Sequence, residues 1–198
     1  MALDSFPANL TLRDGTILAV TPLQPSDSGA LLAFYRSLPE EDRLVLRDDV
    51  TTADWAEGFL RKVETKEIIS LIAKSAGKVV GEATLYRQLH GWTRHVGEIR
   101  VTVAPAFRRK GLATALASGQ VKIATDLGIE KIIVQVVDNQ LAARRAFEKL
   151  GFHKDAILPH HVMDIAGKKR DLIVLANDVS QVWAAMETVN QDYAPHLS

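Results

Sequence analysis

The 198-residue chain contains no cysteine. That absence removes disulfides, thiolate metal sites and cysteine nucleophiles together, and it fits a reducing compartment. Net charge is missing too, since 24 Lys and Arg balance 24 Asp and Glu. A chain that works on nucleic acid usually carries a basic excess, so the balance argues against that partner. No apolar run approaches the ~18 residues a membrane helix requires. The N-terminal MALDSFPANL lacks the basic and then apolar regions of a signal peptide. Internal repeats, low-complexity tracts and linkers are not found either. These absences lead us to expect a cytoplasmic, soluble chain with no nucleic-acid or membrane partner. At 47% hydrophobic and 24% charged residues it has the makings of one ordinary core. We expect a single domain over 1–198, with a core at about 10–178 and a C-terminal helix at about 179–190.

Periodicity supplies the elements. LTLRDGTILAV alternates on both sides of Asp14-Gly15 and reads as a hairpin or bent strand. Ser26 or Asp27 caps a helix to about Leu38, with Leu31, Leu32 and Tyr35 on one face and Pro39 ending it. Trp55, Phe59 and Val63 mark a second amphipathic helix. IISLIAK and KVVGEATLYR form a hairpin about residues 75–77, LHGWTRH is a loop, and VGEIRVTVA (96–104) is a central strand ended by Pro105. Leu112, Leu116, Ile123 and Leu127 stripe a helix from about 109 to 126. KIIVQVV reads as a strand buried on both faces, NQLAARRAFEKL as a helix closed by Gly151, and a hairpin about residues 167–169 follows. The order predicts a mixed α/β (α+β) fold.

One stretch carries chemistry. In APAFRRKGLATAL a strand ends at a proline, three cations follow, and a small-residue helix begins. First-turn amides of a helix have no intrahelical partner, and the helix dipole adds positive potential there. Gly111 and Ala113 allow close backbone approach. Arg108, Arg109 and Lys110 would supplement those amides, so the site suits a phosphate or pyrophosphate. The alternative is a solvated helix start with incidental basic residues. Neither a Walker loop nor a dinucleotide-binding fingerprint is present. The six histidines include His160-His161, whose side chains on a strand would point to opposite faces; we expect no metal site.

RRKGLA resembles the Arg/Gln-x-x-Gly-x-Gly/Ala signature of the GCN5-related N-acetyltransferase (GNAT) superfamily through Arg108, Gly111 and Ala113. EIRVTVAP is similar to that family's fourth strand, and VVDNQLAARRAFEKLGF to its Asn-x-x-Ala-x-x-x-aromatic-Glu-x-x-Gly-Phe segment. The order of motifs extends the resemblance over about 10–178. The opening LRDGT…PSD…LLAFYRSL is similar to the acetyltransferase domain of bacterial protein-lysine acetyltransferases. The resemblance implies a mostly antiparallel, mixed sheet flanked by helices and splayed between two central strands. It implies acetyl-CoA as co-substrate, its pyrophosphate on amides of Arg109, Lys110, Gly111, Leu112, Ala113 and Thr114, with Arg108 adjoining. Its pantetheine arm would lie along Val101 and Val103, the amide of Val103 facing the oxyanion.

The implied reaction is direct attack of a primary amine, small molecule or protein lysine, in a ternary complex. Such an amine, with pKa near ~10, must lose a proton first. Glu98 is the candidate base by resemblance; it could instead pair with Arg100 or Arg94, or face solvent. Asn139 reads either as a helix cap or as a ligand of the pantetheine arm. Phe147 stands where many members carry a tyrosine that protonates the thiolate, so it could pack beside the thioester or simply fill the core. LHGWTRH could line the acceptor site or pack as a loop. The rival function is a non-catalytic acyl-CoA-binding sensor. The acceptor, the acyl length and a homodimeric state are left open.

Overall fold

In the computed structural model the described residues are 6, 8–44 and 46–181. They form one eight-stranded sheet in the order β1-β2-β3-β4-β5-β6-β8-β7. β1 (Ala8–Thr11) and β2 (Ile17–Pro22) make the first hairpin, turning at Asp14-Gly15 as alternation predicts. A short 3-10 turn leads into α1 (Ser28–Ser37), which buries Leu31, Phe34 and Tyr35; Phe34 takes the buried place expected for Leu32. The one-turn α2 (Glu40–Arg43) follows Pro39. Thr52 caps α3 (Ala53–Glu64) by accepting the amide of Trp55.

The central strands are β3 (Ile68–Ser75), β4 (Lys78–Arg87) and β5 (Val96–Val103), all antiparallel. α4 (Leu112–Asp126) crosses to β6 (Lys131–Val137), the one strand parallel to its neighbour β5. α4 starts three residues later than its apolar stripe suggests, because Arg109 (φ 61) and Gly111 (φ 93) are left-handed. β6 alternates buried and half-buried residues along most of its length, so it is not covered equally on both faces as its composition suggests. α5 (Leu141–Lys149) precedes the closing hairpin of β7 (His153–Met163) and β8 (Lys169–Asp178). The expected terminal helix at 179–190 lies mostly outside the described residues.

Two apolar clusters cover the two faces. α4 and α5 pack on one, around Leu85, Ile99, Leu116 and Ile132. α1 and α3 pack on the other, around Leu31, Phe59, Ile68 and Ile72. No helix among the described residues is long and apolar enough to cross a membrane.

Candidate active site

β5 delivers the chain to residues 104–111 at its C-terminal end. Pro105–Phe107 make a single 3-10 turn, and the two left-handed residues Arg109 and Gly111 follow, a backbone pattern of the kind that gathers successive amides into an anion-binding concavity. α4 begins at once with no side-chain cap, so its first-turn N–H groups keep their capacity to bind an anion. The three cations play different parts. Arg108 donates through Nε to the carbonyl of Val103 (3.1 Å) and through Nη2 to Asp42 (2.5 Å), tying the loop to α2. Lys110 pairs with Asp14 at 2.9 Å, and this ammonium, helped by Thr16, pulls the Asp14 carboxyl down to about 2. Arg109 is exposed and pairs with no described carboxylate. The charge run is therefore two clamps and one outward cation.

The β1–β2 turn completes the loop's seat. The Arg13 amide donates to the Lys110 carbonyl at 3.2 Å, and a Cβ on Gly111 would lie 3.7 Å from Arg13 Nε. This second wall was not foreseen, because hairpin and loop are about a hundred residues apart.

Upstream, β5 and β6 pair only over Val96–Glu98 with Lys131–Ile133 and then part. The Ala104 amide donates to Val80 on β4. By ladder alternation, the even residues of β5 face β4, and Ile99, Val101 and Val103 turn their backbone groups toward the opening. The carbonyl of Val103 is taken by Arg108. The splay thus exposes a short polar edge that runs straight into the amide concavity.

Side chains at even positions of β5 project beneath α1 and α3. Glu98 is paired there with Arg100 (2.9 Å), the partner weighed from sequence, and Arg47 Nη2 lies 3.2 Å from both of its oxygens. Arg94, the other partner considered, instead donates to the Gly91 carbonyl. Arg100 also lies over the Tyr86 ring, 4.2 Å from its centroid. Two residues away across the ladder, Glu82 is 2% exposed and accepts hydrogen bonds from Tyr35 (3.0 Å), Ser70 (2.5 Å) and Thr84. Burial pushes its carboxyl above the ordinary value, against the pull of those three donors and Arg100. Sequence reading overlooked Glu82, although a lone acid inside the apolar run KVVGEATL was a visible signal.

The remaining candidates separate. Phe147 is buried on the α4–α5 side, edge-to-face with Phe152 at 5.5 Å between centroids. Asn139 is exposed in the turn before α5, where Gln140 holds the N-cap position, so its reading as the cap is not upheld. LHGWTRH lies at the start of β5, at the opposite end from the amide concavity. With the end of α4 it lines an open cavity of about 520 Å³ that includes neither Glu98 nor its partner Arg47. His160 sits exposed on a bulge of β7 near Asp171, and no group of three or more His, Asp or Glu among the described residues is placed to hold a metal ion.

Comparison with known proteins bears on the fold and the family. The Bacillus subtilis (strain 168) protein named "Putative phosphinothricin acetyltransferase YwnH" is 25% identical over 158 residues, covering 78% of this chain and 94% of that protein. A GNAT-family acetyltransferase from Streptococcus pneumoniae superposes with a TM-score of 0.73 at 22% identity, covering 81% of this chain and 99% of that one. The Salmonella typhimurium protein yncA, described as "a putative ACETYLTRANSFERASE" and solved with its cofactor acetyl-CoA, superposes with a TM-score of 0.71 at 20% identity, over 82% of this chain and 94% of its own. The model of the acetyltransferase (GNAT) family matches residues 31–152, more than half of the chain. The chain belongs to the acetyltransferase (GNAT) family.

Proposed function

We propose that the chain transfers the acetyl group of acetyl-CoA to a primary amine, by direct attack in a ternary complex. The observation that carries this is the polar edge of β5 opening directly into the amide concavity at residues 109–114. The residues there fit the coenzyme. Arg109 to Thr114 offer amides to a pyrophosphate, and the Arg109 guanidinium adds charge. Val101 and Val103 offer backbone groups to an extended amide-bearing arm, as in strand addition. The Val103 amide is placed to meet a developing oxyanion. Bound acetyl-CoA would supply the acyl group as a thioester.

The chain's part is to position this group and to take up the amine's proton. Arg108 and Lys110 shape the loop through Asp42 and Asp14. Glu98, paired with Arg100 and Arg47, is the acceptor for the amine's proton. Asn139, before α5, would meet the pantetheine arm, and Phe147 of α5 would pack beside the thioester.

The test is release of free thiol from acetyl-CoA in the presence of a panel of primary amines and a lysine-bearing peptide. The name of the Bacillus relative makes phosphinothricin the first amine to include. Amine-dependent thiol release is expected. Binding of acetyl-CoA with no release on any acceptor would overturn transfer and favour an acyl-CoA sensor.

A further inference from the structure

Arg47 stands where an acceptor amine has to arrive. It lies between α2 and α3, outside both helices, and half of its side chain is exposed. Its Nη2 reaches Glu98 of β5 at 3.2 Å and Gln135 of β6 at 2.5 Å. β5 and β6 stop pairing at Glu98 and Ile133, so Gln135 lies beyond the last paired residue. One side chain thus bridges the two strands where they part, against the proposed base. The contact is not that of a fully used brace. Nη2 alone meets both Glu98 oxygens and Gln135, while Nε and Nη1 of Arg47 make no hydrogen bond among the described residues. Nearby arginines are committed elsewhere: Arg43 donates to the carbonyls of Arg36 and Leu38, and Arg36 to that of Thr51. Arg100 is 24% exposed, donates Nε to Glu98 at 2.9 Å and rests over the Tyr86 ring. Glu98 therefore keeps one cation when Arg47 turns away, and Arg47 has donors in hand for another anion.

We propose that Arg47 selects the acceptor, and that the acceptor is an amino acid with a free carboxylate close to its amine. This rests on the acetyl-transfer reading above. The argument is one of matching charges. An incoming ammonium takes the place of Arg47 at Glu98, and the displaced guanidinium is left without its anion unless the acceptor brings one. A zwitterion supplies both charges. Its ammonium meets Glu98, and its carboxylate meets the unused side of the Arg47 fork, whose planar geometry suits a two-point contact with a carboxylate. One ion pair is thereby exchanged for two, with no charge left over. A polyamine would instead set a second cation against Arg47, a juxtaposition that costs affinity. A lysine side chain brings an ammonium with no anion of its own, so the exchange stays incomplete.

The experiment measures thiol release from acetyl-CoA with a set of amino acids, each beside its carboxamide and its decarboxylated amine, and with a polyamine and a lysine-bearing peptide. We expect kcat/KM for the best amino acid to exceed that for its carboxamide about 10- to 100-fold, the range of a hydrogen bond to a charged group. Arg47→Gln should erase that preference, chiefly by raising KM for the amino acid, and Arg47→Lys should restore part of it. Comparing wild type with Arg47→Gln on the same acceptors cancels the differing basicity of the amines. Acetyl-CoA affinity by calorimetry should stay within about twofold in both variants. A wild type that prefers the carboxamide, the decarboxylated amine, the polyamine or the peptide would overturn the acceptor class alone. An Arg47→Gln protein that loses kcat/KM equally on amino acid and carboxamide would make Arg47 a brace and overturn its role as selector. A wild type that binds acetyl-CoA yet releases no thiol on any acceptor would overturn the transfer reading and this inference with it.

Discussion

Gly111 concentrates the argument at the scale of one residue. Its φ of 93° is one that side chains resist, and the conformation directs the neighbouring amides into the loop. Arg13 Nε, 3.7 Å from the position of a Cβ, is at ordinary contact distance, so a side chain there meets the strain of its backbone angle but no clash. A glutamate there would place a carboxylate against the same amides and compete with any incoming phosphate. Gly111→Glu should therefore fold, as read by circular dichroism, and lose acetyl-CoA affinity at least about 100-fold by calorimetry. A folded variant that bound the coenzyme like wild type would remove this loop from the site. Arg108 and Lys110 carry a related lesson, because counting charge along RRKG overstates the free charge. Asp42 and Asp14 already face two of the three cations.

Among the elements, α4 decides how well that loop is presented, and it is held close to the sheet. A Cβ on Gly81 of β4 would come within 3.0 Å of Leu112 and 3.2 Å of Leu116, both on the first turns of α4. Gly81→Val would overfill this contact and push the helix start outward, at a cost of about 1–3 kcal/mol. Urea unfolding should show that loss, with weaker acetyl-CoA binding beside it; unchanged affinity would uncouple the helix seat from the loop. The elements themselves were legible in sequence because their signals are local. Alternation marked the first hairpin, the Trp55–Phe59–Val63 spacing marked α3, and Pro105 marked the end of β5. The start of α4 was misjudged because a left-handed Arg109 has no composition signal. The site's partners were hidden for a different reason. Arg47 reaches Glu98 across 51 positions and Arg108 reaches Asp42 across 66, distances over which pattern says nothing about contact.

On the scale of the whole molecule, the sheet separates two cores, and the buried carboxyl of Glu82 lies under the α1–α3 one, bonded to Tyr35 of α1. Burying a carboxyl there leaves a signature in stability. Its folded-state pKa lies above the ordinary 4.5, so the folded protein keeps this proton where the unfolded chain has lost it. That contribution is complete below 4.5 and is lost as pH rises through the folded value. Surface carboxylates work the other way. Lys110 and Thr16 hold Asp14 low, Thr51 holds Asp49, Lys131 holds Asp155 and Arg170 holds Asp164. Their contributions are present above the ordinary 3.8 and fade as pH falls through the lowered values. Glu82→Gln cannot titrate but retains all four, so subtracting its unfolding free energy from that of wild type isolates Glu82. The difference should move steadily in favour of Glu82→Gln as pH is raised from about 4 toward 8, in denaturant titrations at matched ionic strength. A flat difference would mean that Glu82 titrates as an ordinary solvated carboxyl.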